Sequence, residues 1–237
     1  MSYKKENIGE HLTIAFDVAD SRLYPDKMTV WEKLKELCDE LNEIYDEGLK
    51  VQFYIKDGDS VVGVLKNFPT GFKIYQSLRQ FALNNNMRFY FGMGFGTLDT
   101  MRVLNVNEIN GSSVINAFSA INYAKEIQLT QENPVSFFAF DDSDIIPFKT
   151  LNSIVSLIYN EFNGRTQKQK EVINLIEKNS KLTYEEIGME LGYPKQNVKE
   201  NISKLLSRAD YNINKDLKRD VFDLLKKLQT LLKESFK

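Results

Sequence analysis

Apolar positions along the chain alternate between two periods through roughly the first 145 residues and then settle into one. The run Leu12 to Phe16 (LTIAF) ends in Asp17, and after the turn residues Ser21 and Pro25 the positions Val30, Leu34, Leu37, Leu41 and Ile44 recur at helical spacing. That pattern predicts a strand followed by a helix over about residues 27–47. Residues 49–55 and 60–65 are strand-like runs separated by Lys56, Asp57, Gly58 and Asp59, the composition of a tight hairpin turn. Pro69 opens a second helix to about Leu83, the cluster Asn84 to Asn86 ends it, and Arg88 to Gly96 (RFYFGMGFG) alternates as a strand. Gly111 precedes a third helix over about residues 112–128, and the aromatic run Val135 to Phe140 is a further strand. Strand, helix, strand, strand, helix, strand, helix, strand predicts an α+β fold: a ferredoxin-like, palm-type sheet with helices on one face.

Asp141, Asp142, Ser143 and Asp144 interrupt this alternation, and from there the period is helical throughout. An apolar helix over about 148–162 leads into helices at about 167–178, 184–191, 195–206 and 214–233. The expected organisation is a palm-type domain over 1–145, a linker helix over 146–163 and an all-α helix-turn-helix domain over 164–237. A chain of 237 residues, 42% of them hydrophobic, is long enough to give each part a core.

Charge separates the two parts more sharply than the net value of -2 suggests. From Gly164 onward there are 16 basic against 11 acidic side chains, which leaves the acidic surplus in the earlier part. A basic C-terminal third suits a polyanionic partner, whereas an acidic N-terminal part repels phosphate unless a cation intervenes. Met1 to Glu10 contain no apolar leader segment and no later stretch is apolar enough for a membrane span, so a cytoplasmic protein with no membrane partner is expected. One cysteine, Cys38, and one histidine, His11, are too few for a zinc site or an internal disulfide, and any metal must be held by oxygen. Cys38 falls on an apolar helix face and reads as core, and His11, with no nucleophile and acid near it, reads as structural.

Residues 182–206 read LTYEEIGMELGYPKQNVKENISKLL. Thr183 caps a first helix with Glu186 three residues on, a capping box, and Ile187 and Leu191 form its inner face. Gly192 allows a tight reversal, Pro194 and Lys195 open a second helix, and Val198, Ile202 and Leu205 turn its apolar side inward. This arrangement resembles the helix-turn-helix of sigma-factor and response-regulator proteins, with residues 166–178 as the supporting helix. The resemblance makes double-stranded DNA the expected partner, contacted through Thr183, Tyr184, Lys195, Gln196, Asn197, Lys199, Asn201 and Lys204. Amides pair with adenine and lysines reach guanine or phosphate, while Glu200 opposes phosphate. A helical bundle with a merely solvated outer face is the competing interpretation. Paired half-sites and the stripe Leu217, Val221, Leu224, Leu225, Leu228, Leu231 and Leu232 point to a homodimer.

In the N-terminal part, Asp17 ends the first strand, Asp20 follows, and Asp57 and Asp59 occupy the hairpin tip. In palm domains that order brings a carboxylate of the first strand beside one of the hairpin, so Asp17 and Asp59 are candidate ligands for Mg2+. Asp57 and Asp59 equally suit a hairpin turn without any metal. The segments FDVADSR, KDGDSVVGVLKN, FGMGFGTLDT and NGSSVINAFSAINYAKE resemble the corresponding strands, hairpin and helix of the SatD family over about residues 12–128. SatD proteins in turn are similar to class III nucleotide cyclases, which implies a nucleotide as ligand. The same resemblance places Ile115 where a cyclase carries its ribose-orienting Asn, Ser119 where it carries its transition-state Arg, and Ser60 where the family carries a Glu. With no cation to balance developing charge, catalysis is not expected and no residue is assigned a catalytic role. Gly92, Gly94 and Gly96 alternate within a strand and therefore read as small residues under a closely packed helix, not as a phosphate loop. The function expected is that of a DNA-binding transcriptional regulator with a non-catalytic or nucleotide-sensing palm. The alternative is a divergent metal-dependent nucleotidyl transferase or cyclase using Asp17 and Asp59.

Overall fold

The computed structural model describes residues 11–99, 109–127, 134–140, 148–179 and 181–235. The segments Met1 to Glu10 and Asp141 to Asp144, together with Thr100 and Gln128, lie outside them. The chain groups into two compact units, Met1–Ser153 with Val221–Lys237, and Ile154–Asp220.

In the first unit the elements are β1 (His11–Val18), α1 (Lys27–Tyr45), β2 (Leu49–Lys56), β3 (Ser60–Leu65), α2 (Phe68–Asn85), β4 (Phe89–Gly96), α3 (Ser112–Ile127) and β5 (Val135–Phe140). The five strands form one mixed sheet in the order β2-β3-β1-β4-β5, antiparallel except for the parallel pair β4–β5. This is the split β-α-β arrangement expected from the element order, extended by one strand. β1 lies at its centre. Leu12, Ile14 and Phe16 on one face and Thr13 and Ala15 on the other are fully buried, so both faces of the sheet are covered.

Helices on a single face were expected, and here the structure differs. On β4, Phe91 packs edge-on against Tyr75 of α2, whereas the backbone of α3 lies on Gly92 and Gly94. Successive strand residues point to opposite faces, so α2 and α3 sit on opposite sides of the sheet. The glycines permit it. A Cβ built on Gly94 would stand 2.1 Å from the Ala117 nitrogen and 2.3 Å from the Ser113 oxygen, and one on Gly92 would stand 2.1 Å from the Ala117 oxygen. The expectation that these glycines serve helix packing holds.

Both edges of the sheet are managed by asparagine. β2 bulges between Val51 and Tyr54, and the freed backbone of Phe53 donates to Asn42 Oδ1 (2.6 Å) and accepts from its Nδ2 (2.9 Å). At the other edge, Asn152 of α4 (Phe148–Asn163) does the same for Ala139 of β5, at 2.8 and 3.2 Å. Each asparagine thereby satisfies the N–H and C=O of one residue on an edge strand.

The second unit holds α5 (Gln167–Lys178), α6 (Tyr184–Glu190) and α7 (Val198–Arg208) around Val172, Ile173, Ile187, Ile202 and Leu206. Thr166 and Thr183 each open a helix with a full capping box, through Gln169 and Glu186. α6 and α7 approach closely because Gly188 has no side chain: a Cβ there would stand 2.7 Å from Val198 Cγ1. Gly192, at φ +74, makes the reversal. The second helix begins at Val198, not at Lys195 as the sequence suggested, because Asn197 takes a left-handed φ of 62 that no helix continues through.

α8 (Tyr211–Ser235) carries the apolar stripe read as a dimer surface. Val221, Leu225 and Leu228 are buried within the chain itself, Phe222 packs against Phe72, and Gln229 bonds to the backbone of Lys66 and Phe68. Much of the stripe is therefore used internally, while Leu231 is exposed and the side chain of Leu232 is outside those described. No helix among the described residues is long and apolar enough to cross a membrane.

Candidate functional site

At one end of the sheet, on the α3 face, three strands converge on Asp17. The β1 register sets Asp17 opposite Ser60 of β3 and Tyr90 of β4. Asp17 lies inside β1, one residue before its end, and is buried. The Ser60 hydroxyl donates to its Oδ1 at 3.1 Å, and the Lys125 ammonium donates to its Oδ2. Lys125 Nζ also stands 5.7 Å from the centre of the Tyr90 ring, a cation–π arrangement.

A groove of about 550 Å³ opens here, lined by Asp17, Asp20, Arg22, Asp59, Tyr90 and Lys125 among others. Asp59 belongs to the hairpin turn, and its carbonyl accepts from Val18 N at 3.2 Å. The structure thus brings Asp17 and Asp59 to one groove. Asp17, however, has one oxygen bonded to Ser60 and the other to an ammonium, so a cation would compete with both partners for it. These residues as arranged do not fit a two-carboxylate Mg2+ site. Among the described residues no cluster of three or more metal-ligating side chains forms. Asp20, in a left-handed conformation, is paired with Arg88 at 3.6 Å.

Lys125 and Tyr90 are the members of this site that the sequence did not single out, and Ser60 was noted only as the replacement of a family Glu. One signal was available: Ser113, Ala117 and Ile121 form a four-residue row on the inner face of α3, and Lys125 is its next position. Ile115 is 59% exposed and Ser119 is half-buried, and neither side chain carries a charge. The neighbouring amide, Asn116, is turned to the sheet, where its Nδ2 donates to Phe95 O at 2.7 Å.

His11 and Cys38 have the quiet roles expected of them. Burial, then the charge of Lys50, lowers the His11 pKa to about 4, and the ring is neutral beside the Lys50 ammonium, 2.9 Å away. Burial, helped by Asp39, pushes the Cys38 thiol up to about 12, so it forms no reactive thiolate.

In the three-helix unit, Lys195, Gln196, Asn197, Lys199, Asn201 and Lys204 are all exposed, while Val198, Ile202 and Leu206 of the same stretch are buried. Lys195, Gln196 and Asn197 sit on the turn before α7, not on the helix. Three residues are partly committed elsewhere. Thr183 exchanges hydrogen bonds with Glu186, Tyr184 is half-buried against the helical core, and Lys204 pairs with Glu200 at 2.8 Å.

No curated protein matches the chain. Among solved structures, the catalytic core of a rhodopsin-guanylyl cyclase with converted specificity, in complex with ATPαS, is 14% identical over 48% of this chain and 72% of that one, with a TM-score of 0.34. A bacterial light-regulated adenylyl cyclase is 10% identical over 54% of this chain and 42% of its own length, also with a TM-score of 0.34. Similarity this remote assigns no activity. The SatD family pattern matches residues 11–187, most of the chain, and the protein belongs to the SatD family.

Proposed function

We propose that this protein is a DNA-binding regulator of transcription whose helical unit is a helix-turn-helix, with a palm-type sheet that either binds a nucleotide or serves only for association. The observation that carries the reading is the division of residues 195–206 into an exposed set of lysines and amides and a buried apolar set. Two further features support it. α7 has no side chain capping its first turn, which leaves backbone N–H groups to meet a phosphate, and α6 and α7 are held close by Gly188. DNA is contacted through Lys195, Gln196, Asn197, Lys199 and Asn201 first, with Lys204, Thr183 and Tyr184 in supporting positions. A homodimer on paired half-sites belongs to the same proposal. Fluorescence anisotropy with duplex genomic fragments tests it: binding at low salt that falls steeply as salt rises, and falls further in Lys195→Ala and Lys199→Ala, is expected. No binding to any duplex at low salt sinks the reading. Sedimentation at micromolar concentration decides the dimer.

A second reading, a metal-dependent nucleotidyl transferase or cyclase using Asp17 and Asp59, is favoured by one observation. Both carboxylates line one groove, which also contains Lys125. Metal-dependent product from ATP or GTP that disappears in Asp17→Ala and Asp59→Ala would establish it.

A further inference from the structure

Behind the hairpin tip lies a second cavity, about 420 Å³, between the turn Asp57–Asp59 and the first turns of α1. Its volume is that of a small-molecule site. Met28 and Trp31 line it together with Arg22, Lys27, Asp57 and Asp59.

Trp31 is the only tryptophan in the chain. A ring of this size normally contributes to a core, yet here it is 40% exposed, and Met28 beside it is 64% exposed. Two large, partly exposed apolar side chains therefore line the cavity, with Lys35 Nζ 5.7 Å from the centre of the Trp31 ring. The charges around it are of both signs, and they do not neutralise one another: neither Arg22 nor Lys27 has an ion-pair partner among the described residues, and neither do Asp57 and Asp59. Asp57 is fixed by the left-handed turn at φ 56. The first N–H groups of α1 are taken by Asp26, which accepts from Met28 and Thr29, so recognition of an anion rests on the two side chains and not on the helix end.

We propose that this cavity binds a small zwitterion with an aromatic body, of the size and charge pattern of a free aromatic amino acid. Its carboxylate meets Arg22 and Lys27, its ammonium meets Asp57 and Asp59, and its ring lies against Trp31 and Met28. A purely anionic ligand leaves the two aspartates repelling it, and a purely cationic one leaves the two bases doing so. Only a ligand carrying both charges satisfies both rims, and an aromatic body covers the apolar surface between them.

The test uses the full chain and three probes: L-phenylalanine, N-acetyl-L-phenylalanine, which lacks the cation, and L-phenylalanine amide, which lacks the anion. Trp31 emission reports directly on the cavity, and calorimetry reports independently of it. L-Phenylalanine is expected to give a saturable response, with each single-charge analogue weaker by roughly tenfold or more. Arg22→Gln with Lys27→Gln should bring L-phenylalanine down to the level of the amide, and Asp57→Asn with Asp59→Asn should bring it down to the level of the N-acetyl compound. Circular dichroism confirms that the variants are folded. No saturable response to L-phenylalanine, equal binding of the three probes, or unchanged binding in both folded double variants overturns the proposal.

Discussion

Lys125 and Asp17 form an ion pair at the end of the sheet, in which α3 supplies the cation and β1 the buried carboxylate. The pair sets a cation directly against the buried carboxylate on the wall of the groove. Removing one partner leaves the other poorly solvated. Because the lysine is 42% exposed, water recovers part of the loss, and Lys125→Ala is expected to destabilise the protein by about 1–2 kcal/mol in urea denaturation. Asp17→Asn combined with Lys125→Met, which leaves no charge behind, should cost less than Lys125→Ala alone. A double variant weaker than the single one would show that the pair does not act as a unit.

The arrangement of α3 leads to a second expectation. Gly94 faces backbone on both sides, the nitrogen of Ala117 and the carbonyl of Ser113, and neither can turn aside as a side chain would. Gly94→Ala must push the whole helix off the sheet, at a cost of about 3 kcal/mol or more, whereas Gly58→Ala, where a Cβ meets nothing within 4 Å, should cost only the strain of its φ of +89. Thermal denaturation of the two variants compares them directly.

The strand and helix order was legible because each element carries its own signal. Helical spacing marked α1, Pro69 and the asparagines bounded α2, and Gly111 preceded α3. The capping boxes at Thr166 and Thr183 arise from local hydrogen bonds between residues three apart, so the sequence around Thr183 was enough to find one of them. What escaped was decided at long range. Lys125 and Asp17 are 108 residues apart, and no local pattern pairs them. The left-handed Asn197 shortened a helix whose apolar spacing alone ran on. The stripe on α8 was correctly apolar, but the sequence did not reveal that Phe72 and the backbone of Phe68 would take up part of it.

His11 gives the chain a pH dependence with a definite sign. Its folded pKa, about 4, lies below the ordinary value of 6.5, so the folded state binds fewer protons than the unfolded chain between these limits. The stability contributed by keeping the ring neutral is present above about pH 6.5 and is lost as pH falls toward 4. With partial exposure discounted, the loss is on the order of 1 kcal/mol. His11→Gln should flatten the denaturation profile in this window and leave it unaltered above pH 7. Equal slopes for the two proteins between pH 6.5 and 4 would assign the acid sensitivity elsewhere.

On α7, Glu200 holds Lys204 at 2.8 Å and adds a negative charge to the surface proposed to face DNA. Glu200→Gln removes the repulsion and releases the lysine together, so affinity for duplex DNA should rise several-fold at low salt. The dependence on salt should also steepen, by close to the 0.9 per added phosphate contact that counterion release gives, roughly one unit of slope. Anisotropy titrations across a range of salt concentrations measure both quantities. If Glu200→Gln leaves affinity and slope unchanged while Lys199→Ala also has no effect, α7 is not the contact surface.

The groove at Asp17 is expected to give no robust turnover of ATP or GTP with magnesium or manganese. Two deficits combine. Ile115 and Ser119, the two positions singled out by the resemblance to cyclases, offer no charge-balancing donor, and loss of one such donor typically costs about a hundredfold or more in rate. Lys125 does not repair this while its ammonium is bound to Asp17, because the same contact withholds the carboxylate from a metal. Releasing the lysine toward a phosphate would leave Asp17 to a cation, and such an exchange requires the nucleotide and the metal to outcompete an ion pair that the fold already supplies. Incubation of the protein with labelled ATP and GTP and each metal, beside Asp17→Ala, Asp59→Ala and Lys125→Ala, tests this. Product that depends on metal and vanishes in all three variants would mean that the exchange occurs and that the groove is an active site.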